Sequence, residues 1–223
     1  MRLSIIVPVL NEAPVVTAAL TALQPMRGRG HEVIVVDGGS TDATFALSGP
    51  LADRVIRAPC GRALQMNAGA SLAAGDALLF LHADTRLPER ADDVVAGSLS
   101  THSWGRFDVK IDSARPLLAV VGCMMNLRSR LTGIATGDQA MFVTRAAFAQ
   151  AGGFPAIALM EDVAFSATLR RGGPPACLKA RVVTSARRWE RHGIVATILL
   201  MWRLRLLYFL GADPAKLAQR YAR

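Results

Sequence analysis

The segment Leu3–Val9 is rich in β-branched apolar residues and shows no polar alternation. A strand with one wet face alternates, so this run predicts a strand buried on both faces. Asn11, Glu12 and Pro14 then open a helix to about Leu23, with Asn11 as a cap. Glu32–Val36 is a second buried run, ending in the turn Asp37-Gly38-Gly39-Ser40, with a helix start at Ser40–Thr44. Arg54–Ala58 reads as a short third strand, Gly61–Ala74 as a helix and Ala77–Leu81 as a fourth strand. Strands alternating with helices predict an α/β fold with a doubly wound, mostly parallel sheet flanked by helices.

Beyond residue 85 the pattern loosens. Helices are predicted over Pro88–Leu99, Leu117–Leu131, Arg145–Gln150 and Glu161–Arg171, with an exposed, alternating strand at Trp104–Asp112 and a returning strand at Gln139–Val143. Ile194–Leu210 is strongly apolar but carries Arg203 and Arg205. It is short and charged for a bilayer span and reads as a helix lying at an interface.

Charge divides the chain. Residues 1–169 carry 14 Lys and Arg against 15 Asp and Glu, whereas residues 170–223 carry 12 against only Glu190 and Asp213. Such a basic end suits anionic lipid headgroups or a phosphate-bearing ligand, and a mean hydropathy of +0.30 points the same way. Nucleic acid fits less well, because no platform of several aromatics accompanies the basic residues. The 19% charged and 52% hydrophobic content excludes a disordered tail. Cys60, Cys123 and Cys177 form no CxxC pair and are expected as buried small apolar groups in a reducing compartment. The apolar stretch at the N-terminus is too short for a signal peptide and is expected as a strand.

Ligands of open α/β sheets bind beyond the carboxyl ends of the strands. Three acidic clusters are predicted near such ends or at a helix start. Asp37, in DGGSTD, could accept hydrogen bonds from a ribose or base edge, or simply cap its own turn. His82-Ala83-Asp84 ends the fourth strand; Asp84 and His82 could lean toward one cation, or form a polar strand terminus. Glu161-Asp162 opens a helix, where the macrodipole alone favours acids; one of the two could equally be a general base.

Taken in order, the segments SIIVPVLNE, VIVVDGGSTDAT, GRALQMNAGASLAAGDALLFLHADT, ATGDQAMFVTRAAFAQAGGF and MEDVAFSATLRRGG resemble the family 2 glycosyltransferases, which have the GT-A fold. The resemblance spans about residues 1–175 and leaves 176–223 as a basic, apolar helical extension. It implies inverting transfer of a sugar from a UDP- or GDP-linked donor to an acceptor hydroxyl, assisted by Mn²⁺ or Mg²⁺. It also implies roles. Pro8, Asn11 and Glu12 would lie near the base and ribose, and Asp37 would bind the nucleoside on a loop supported by Asp42. Arg62 and Asn67 would flank the nucleotide. Asp84 matches the last acid of the family's D-x-D motif and would hold the metal. Gly137, Asp138 and Gln139 would shape the acceptor and donor-sugar side, with Asp138 near the chemistry. Asp162 would be the base, with Glu161 beside it.

Two positions depart from the family pattern. His82 replaces the first acid of D-x-D, although imidazole can ligate Mn²⁺-like ions. SARRW, at Ser185–Trp189, resembles the Q-x-x-R-W motif of processive synthases without its Gln. Arg188 and Trp189 could contact diphosphate or acceptor; equally, Trp189 could pack as an amphipathic ring. A nucleotidyltransferase or dinucleotide oxidoreductase would need a glycine-rich phosphate loop after the first strand, where PVLNEAP stands instead. The remaining rival is a catalytically idle, membrane-associated interaction protein on the same fold. The expected location is cytoplasmic, peripheral on the inner membrane face, with an acceptor that is lipid-linked or held near lipid.

Overall fold

The computed structural model describes residues 1–222. Its elements are β1 Leu3–Val9, α1 Ala13–Thr21, α2 Gln24–Gly28, β2 Glu32–Asp37, α3 Thr44–Ser48, β3 Arg54–Arg57, α4 Arg62–Leu72, β4 Ala77–Phe80, β5 Thr85–Arg86 and α5 Ala91–Ser98. There follow β6 Trp104–Asp112, α6 Pro116–Thr132, β7 Phe142–Thr144, α7 Arg145–Ala151, α8 Glu161–Arg171, β8 Ala176–Ser185, α9 Arg187–His192, α10 Ile194–Phe209 and α11 Pro214–Ala222.

One eight-stranded sheet runs β3-β2-β1-β4-β7-β6-β8-β5. The first four strands are parallel, β4 meets β7 antiparallel, and β6 and β8 form a second parallel pair. β1 and β2 are apolar on both faces because helices cover both. Leu3, Ile5, Val7, Val33 and Val35 join a core with Val16, Leu20 and Val95. Ile6, Ile34 and Val36 pack on the opposite side with Met66, Phe154 and Phe165. α4 approaches β1 closely: a Cβ at Gly69 would lie 2.6 Å from Ile6 Cγ2. That contact seats the helix bearing Arg62, Gln65 and Asn67 against the strand ends.

The structure corrects several sequence expectations. Asn11 does not cap α1; it adopts φ +54° and Glu12 is the residue preceding the helix. β6 is not an exposed strand: it lies between β7 and β8, and Trp104 to Val109 are all buried. Gln139 belongs to a 3₁₀ turn, and the returning strand starts at Phe142. Residues 176–185, expected as helical extension, form β8, whose pairing with β6 and β5 places it inside the sheet. Cys60 and Cys123 are exposed and Cys177 is half-buried, so none is a core group. His31 pairs with Asp92, its Nε2 lying 3.0 Å from Asp92 Oδ2.

The C-terminal helices are not a loose appendage. Leu204 of α10 and Leu217 of α11 are buried against Leu159, Met160 and Val163, at the start of α8. The outer face of α10 stays open, with Val195, Leu199, Trp202, Leu206 and Phe209 exposed. Among the described residues, no helix is long and apolar enough to cross a membrane.

Candidate active site

Two adjoining regions lie beyond the strand ends. The first is built from the loops after β1 and β2. Asp37 is fully buried, and its carboxylate accepts the Ser40 N–H at 3.1 Å, the Gly39 N–H at 3.3 Å and the Ser40 hydroxyl. Asp42 accepts from the Thr44 hydroxyl and the backbone N–H groups of Thr44 (2.9 Å) and Ala13 (3.2 Å). Those bonds, the Thr44 hydroxyl first, hold its carboxyl below the usual range. Asn11 Oδ1 accepts the Thr41 N–H at 2.9 Å, and its own N–H donates to Ser40 Oγ at 2.9 Å, which stitches the two loops together.

The second region is a cavity of about 690 Å³ between α4, α6, α8, α10 and the turn at 136–138. Its polar lining includes Arg62, His82, Arg128, Asp138, Glu161, Asp162 and Arg205. Asp162 Oδ2 accepts the Gly137 N–H at 2.8 Å and Oδ1 accepts the Val163 N–H at 2.7 Å. Gly137 is there for space, because a Cβ would lie 2.6 Å from His82 Cε1 and Nε2. His82 Nδ1 is 3.5 Å from Asp138 Oδ1. Asp138 sits deep yet keeps 47% of its side chain accessible from the cavity. Burial pushes its carboxyl upward, but the His82 contact and the charges of Arg62 and Arg205 together hold it below the ordinary range. Arg62 keeps its charge for a related reason: burial opposes it, while Tyr221, Glu161, Asp138 and Asp162 outweigh that effect.

Glu161 behaves differently. It is 6% exposed, and burial followed by repulsion from Asp162 pushes its carboxyl up to about 7, with Arg62 opposing. A carboxyl whose folded pKa exceeds its unfolded value of 4.5 holds its proton more tightly when folded. Stability is therefore lost as pH rises from about 4.5 to about 7. Glu161→Gln should abolish this loss, gaining roughly 1–3 kcal/mol over the parent at about pH 8 and nothing at about pH 4. Thermal melts of both proteins across that range test this; a difference independent of pH would contradict it.

A cation at the end of β4 would find few ligands. Asp84 is 30% exposed there and can offer oxygen, the donor type a hard cation takes. His82 is turned away, with Nδ1 toward Asp138 and Nε2 against Gly137. Asp84 offers the carboxylate oxygen that would hold a cation here, whereas both His82 nitrogens face Asp138 and Gly137. No group of three or more His, Cys, Asp or Glu able to hold a metal ion occurs among the described residues. A single carboxylate still suits Mg²⁺-type ions, which take one or two carboxylates and complete their shell with substrate phosphates and water.

The family model for glycosyl transferase family 2 matches residues 4–115, half of the chain. The chain belongs to glycosyl transferase family 2. The matched half of this family 2 chain holds Asp37, Asp42 and Asp84 and stops before Asp138, Glu161 and Asp162. PGL/p-HBAD biosynthesis glycosyltransferases of Mycobacterium tuberculosis and Mycobacterium bovis are 38% identical to it over 93 residues, 39% of this chain. The chain covers about 36% of the length of these curated relatives. TarS from S. aureus in complex with UDP-GlcNAc superimposes with a TM-score of 0.69 at 21% identity, over 83% of this chain and 58% of that one. A mannosyltransferase from Pyrobaculum calidifontis in complex with GDP-Man and Mn²⁺ gives 0.64 at 22% identity, over 99% of this chain and 69% of that one. These likenesses establish the GT-A type fold of this family 2 chain.

The structure disperses some residues that the sequence grouped. Asn67 is held by Phe154, whose N–H it accepts at 2.9 Å and whose carbonyl it donates to at 2.8 Å, so it clamps a loop. Gln139 is fully buried and props its own turn, its Oε1 accepting the Thr136 N–H at 3.2 Å. Pro8 lies in β1 opposite Val36. Arg188 stacks 3.5 Å over the Tyr221 ring and donates to the Tyr221 carbonyl at 2.8 Å, so it ties α11 down. Trp189 packs near Leu118 and also lines the cavity. Sequence reasoning missed Arg187, which bridges Glu12 at 3.0 Å and Asp84 at 3.6 Å and so ties the loop after β1 to the segment after β4. It also missed Gln65, buried and donating to the carbonyls of Val9 and Val36 at 2.8 Å each, and Arg205 as a cavity residue. The SARRW pattern points to its second Arg, and nothing in it singles out the first.

Proposed function

We propose that this chain transfers a sugar, with inversion, from a nucleoside-diphosphate donor to an acceptor hydroxyl, and that Asp162 takes the acceptor proton. The observation that carries this reading is the placement of Asp162. Two backbone N–H bonds hold its carboxylate in the wall of a large cavity beside the donor-side loops. Acceptors are weak nucleophiles, so a positioned base speeds attack. The acceptor oxygen bonds to the anomeric carbon as the bond from that carbon to the diphosphate oxygen breaks on the opposite face. The hydroxyl proton goes to Asp162, and the nucleoside diphosphate leaves with the electron pair.

The other roles follow from position. Asp37, Asn11, Glu12 and Asp42 shape the nucleoside pocket, and Arg62 faces the anionic side of the cavity. Asp138, kept ionised beside His82, accepts hydrogen bonds from sugar hydroxyls. Mn²⁺ or Mg²⁺ on Asp84 would neutralise the departing diphosphate. Relatives of this fold are described with UDP-GlcNAc and with GDP-Man and Mn²⁺, which supports a nucleotide-sugar donor.

Calorimetric titration of UDP and GDP, with and without Mn²⁺ or Mg²⁺, tests the donor side. Binding should require the metal and fall at least tenfold in Asp84→Ala. No nucleotide binding under any condition would leave the idle interaction protein as the better reading.

The open face of α10 sets Trp202, Leu206 and Phe209 next to Arg203, with Lys216 and Arg220 on the neighbouring helix. An apolar face edged by cations matches an anionic bilayer surface, where apolar contact and charge add. The full chain is expected to float with anionic liposomes and to lose this in Trp202→Ser/Phe209→Ser. Recovery only in the lipid-free fraction would rule out the membrane reading.

A further inference from the structure

Arg128 and Arg205 enter the cavity from different helices, α6 and α10. Both are half-buried. The Nε and Nη2 of Arg128 and the Nε of Arg205 are buried without any hydrogen-bond partner, while Arg128 Nη1 reaches only the Ile134 carbonyl at 3.2 Å. Burial, then repulsion from Arg205, pulls Arg128 down to about 10. Burial likewise lowers Arg205, although Asp162 and Asp138 attract it. Two cations that crowd each other and leave donors unmet are poor structural glue. Native proteins rarely leave buried donors unpaired without a purpose.

A bound oxyanion would resolve all of this at once, since guanidinium groups recognise phosphate through several N–H bonds and tolerate each other across a shared anion. The placement of the pair favours the acceptor over the donor diphosphate. The acidic groups that act on these arginines are Asp162 and Asp138, whereas Asp84 already has its own cation in Arg187. The cavity lining on the same two helices is apolar and opens toward solvent, with Val120 and Met124 on α6 and Met201 and Trp202 on α10.

We infer that Arg128 and Arg205 form a subsite for a phosphate monoester group carried by the acceptor, whose hydroxyl is thereby presented to Asp162. The inference rests on the transfer reading above and names its acceptor class. A phosphorylated small molecule and a phosphorylated lipid share this chemistry. The apolar walls would add affinity only for the second.

Calorimetry with hexyl phosphate, inorganic phosphate and hexanol tests it, alongside UDP with metal. Hexyl phosphate should bind, and Arg205→Met and Arg128→Met should each weaken it at least tenfold, while Arg205→Lys keeps part of the affinity and UDP binding stays within about twofold. Melting curves show that the variants are folded. Hexyl phosphate binding tenfold tighter than inorganic phosphate marks a lipid-like acceptor, and equal binding marks a small one; hexanol should not compete. Three results overturn the inference. In the first, hexyl phosphate fails to bind a protein that binds UDP. In the second, hexyl phosphate and UDP compete and weaken together in both variants, which gives the pair to the donor. In the third, the variants bind hexyl phosphate as the parent does. Absence of UDP binding with hexyl phosphate retained would instead remove the transfer reading and leave an oxyanion site.

Discussion

Asp162→Asn is expected to lower turnover by about 10²–10⁴-fold while leaving donor affinity nearly unchanged. The size follows from the role. Asn has the shape of Asp but cannot accept a proton at neutral pH, so the acceptor must lose its proton to water. The two backbone bonds from Gly137 and Val163 point at carboxylate oxygens. Asn can satisfy one with its carbonyl, so the turn at 136–138 should loosen slightly and KM for the acceptor should rise. Glu161→Gln makes the contrasting variant. Glu161 is buried and tends to hold a proton near neutrality, and its replacement should cost less than tenfold. Both variants can be assayed by release of nucleoside diphosphate at saturating donor. If Asp162→Asn retains activity within a few-fold and Glu161→Gln loses it, the base is Glu161 and its raised pKa is the reason.

The sequence exposed the donor half of the molecule better than the acceptor half, and the difference is physical. β1 and α8 were readable to the residue, because a doubly buried strand and a helix with acids at its start and arginines at its end are local patterns. Asp37, Asp84 and Asp162 could be singled out because each lies at or shortly after a strand end or opens a helix. β8 was not readable. Lys179 and Arg181 suggest a solvated tail, and only its parallel partner β6 explains why Val182 is fully buried. Arg203 and Arg205 show the same limit. Residues two apart on a helix do not share a face, so one points out and the other enters the cavity. Nothing local says which, because the choice is made by Leu204 packing against Leu159 and Val163. The stitching of Asn11 to Ser40 and Thr41 is likewise a property of two loops that meet only in three dimensions.

Asp108→Ala should destabilise the fold by roughly 3–5 kcal/mol, the cost of leaving a buried cation without its partner. Arg106 is completely buried in β6. It is paired with Asp108 and held by Ser129 Oγ at 3.0 Å and the Asn126 carbonyl at 3.3 Å, both on α6. Arg130 adds a second cation to Asp108 at 2.7 Å. Removing the carboxylate strands Arg106 where water cannot reach it and leaves Arg130 repelling it. For a chain of this size each kcal/mol shifts the melting temperature by about 2–4 °C, so a drop of roughly 10 °C is expected. The paired replacement Arg106→Met/Asp108→Leu should recover most of that loss, because an apolar pair has no charge to desolvate. Arg130→Met, at a half-exposed site, should cost less than about 1 kcal/mol. Equal melting temperatures for the single Asp108 variant and the paired replacement would show that the ion pair is not what matters. The consequence reaches the site, because α6 also carries Arg128 into the cavity. If the suture between β6 and α6 sets its position, Asp108→Ala measured well below its melting temperature should also weaken hexyl phosphate, while the paired replacement restores it.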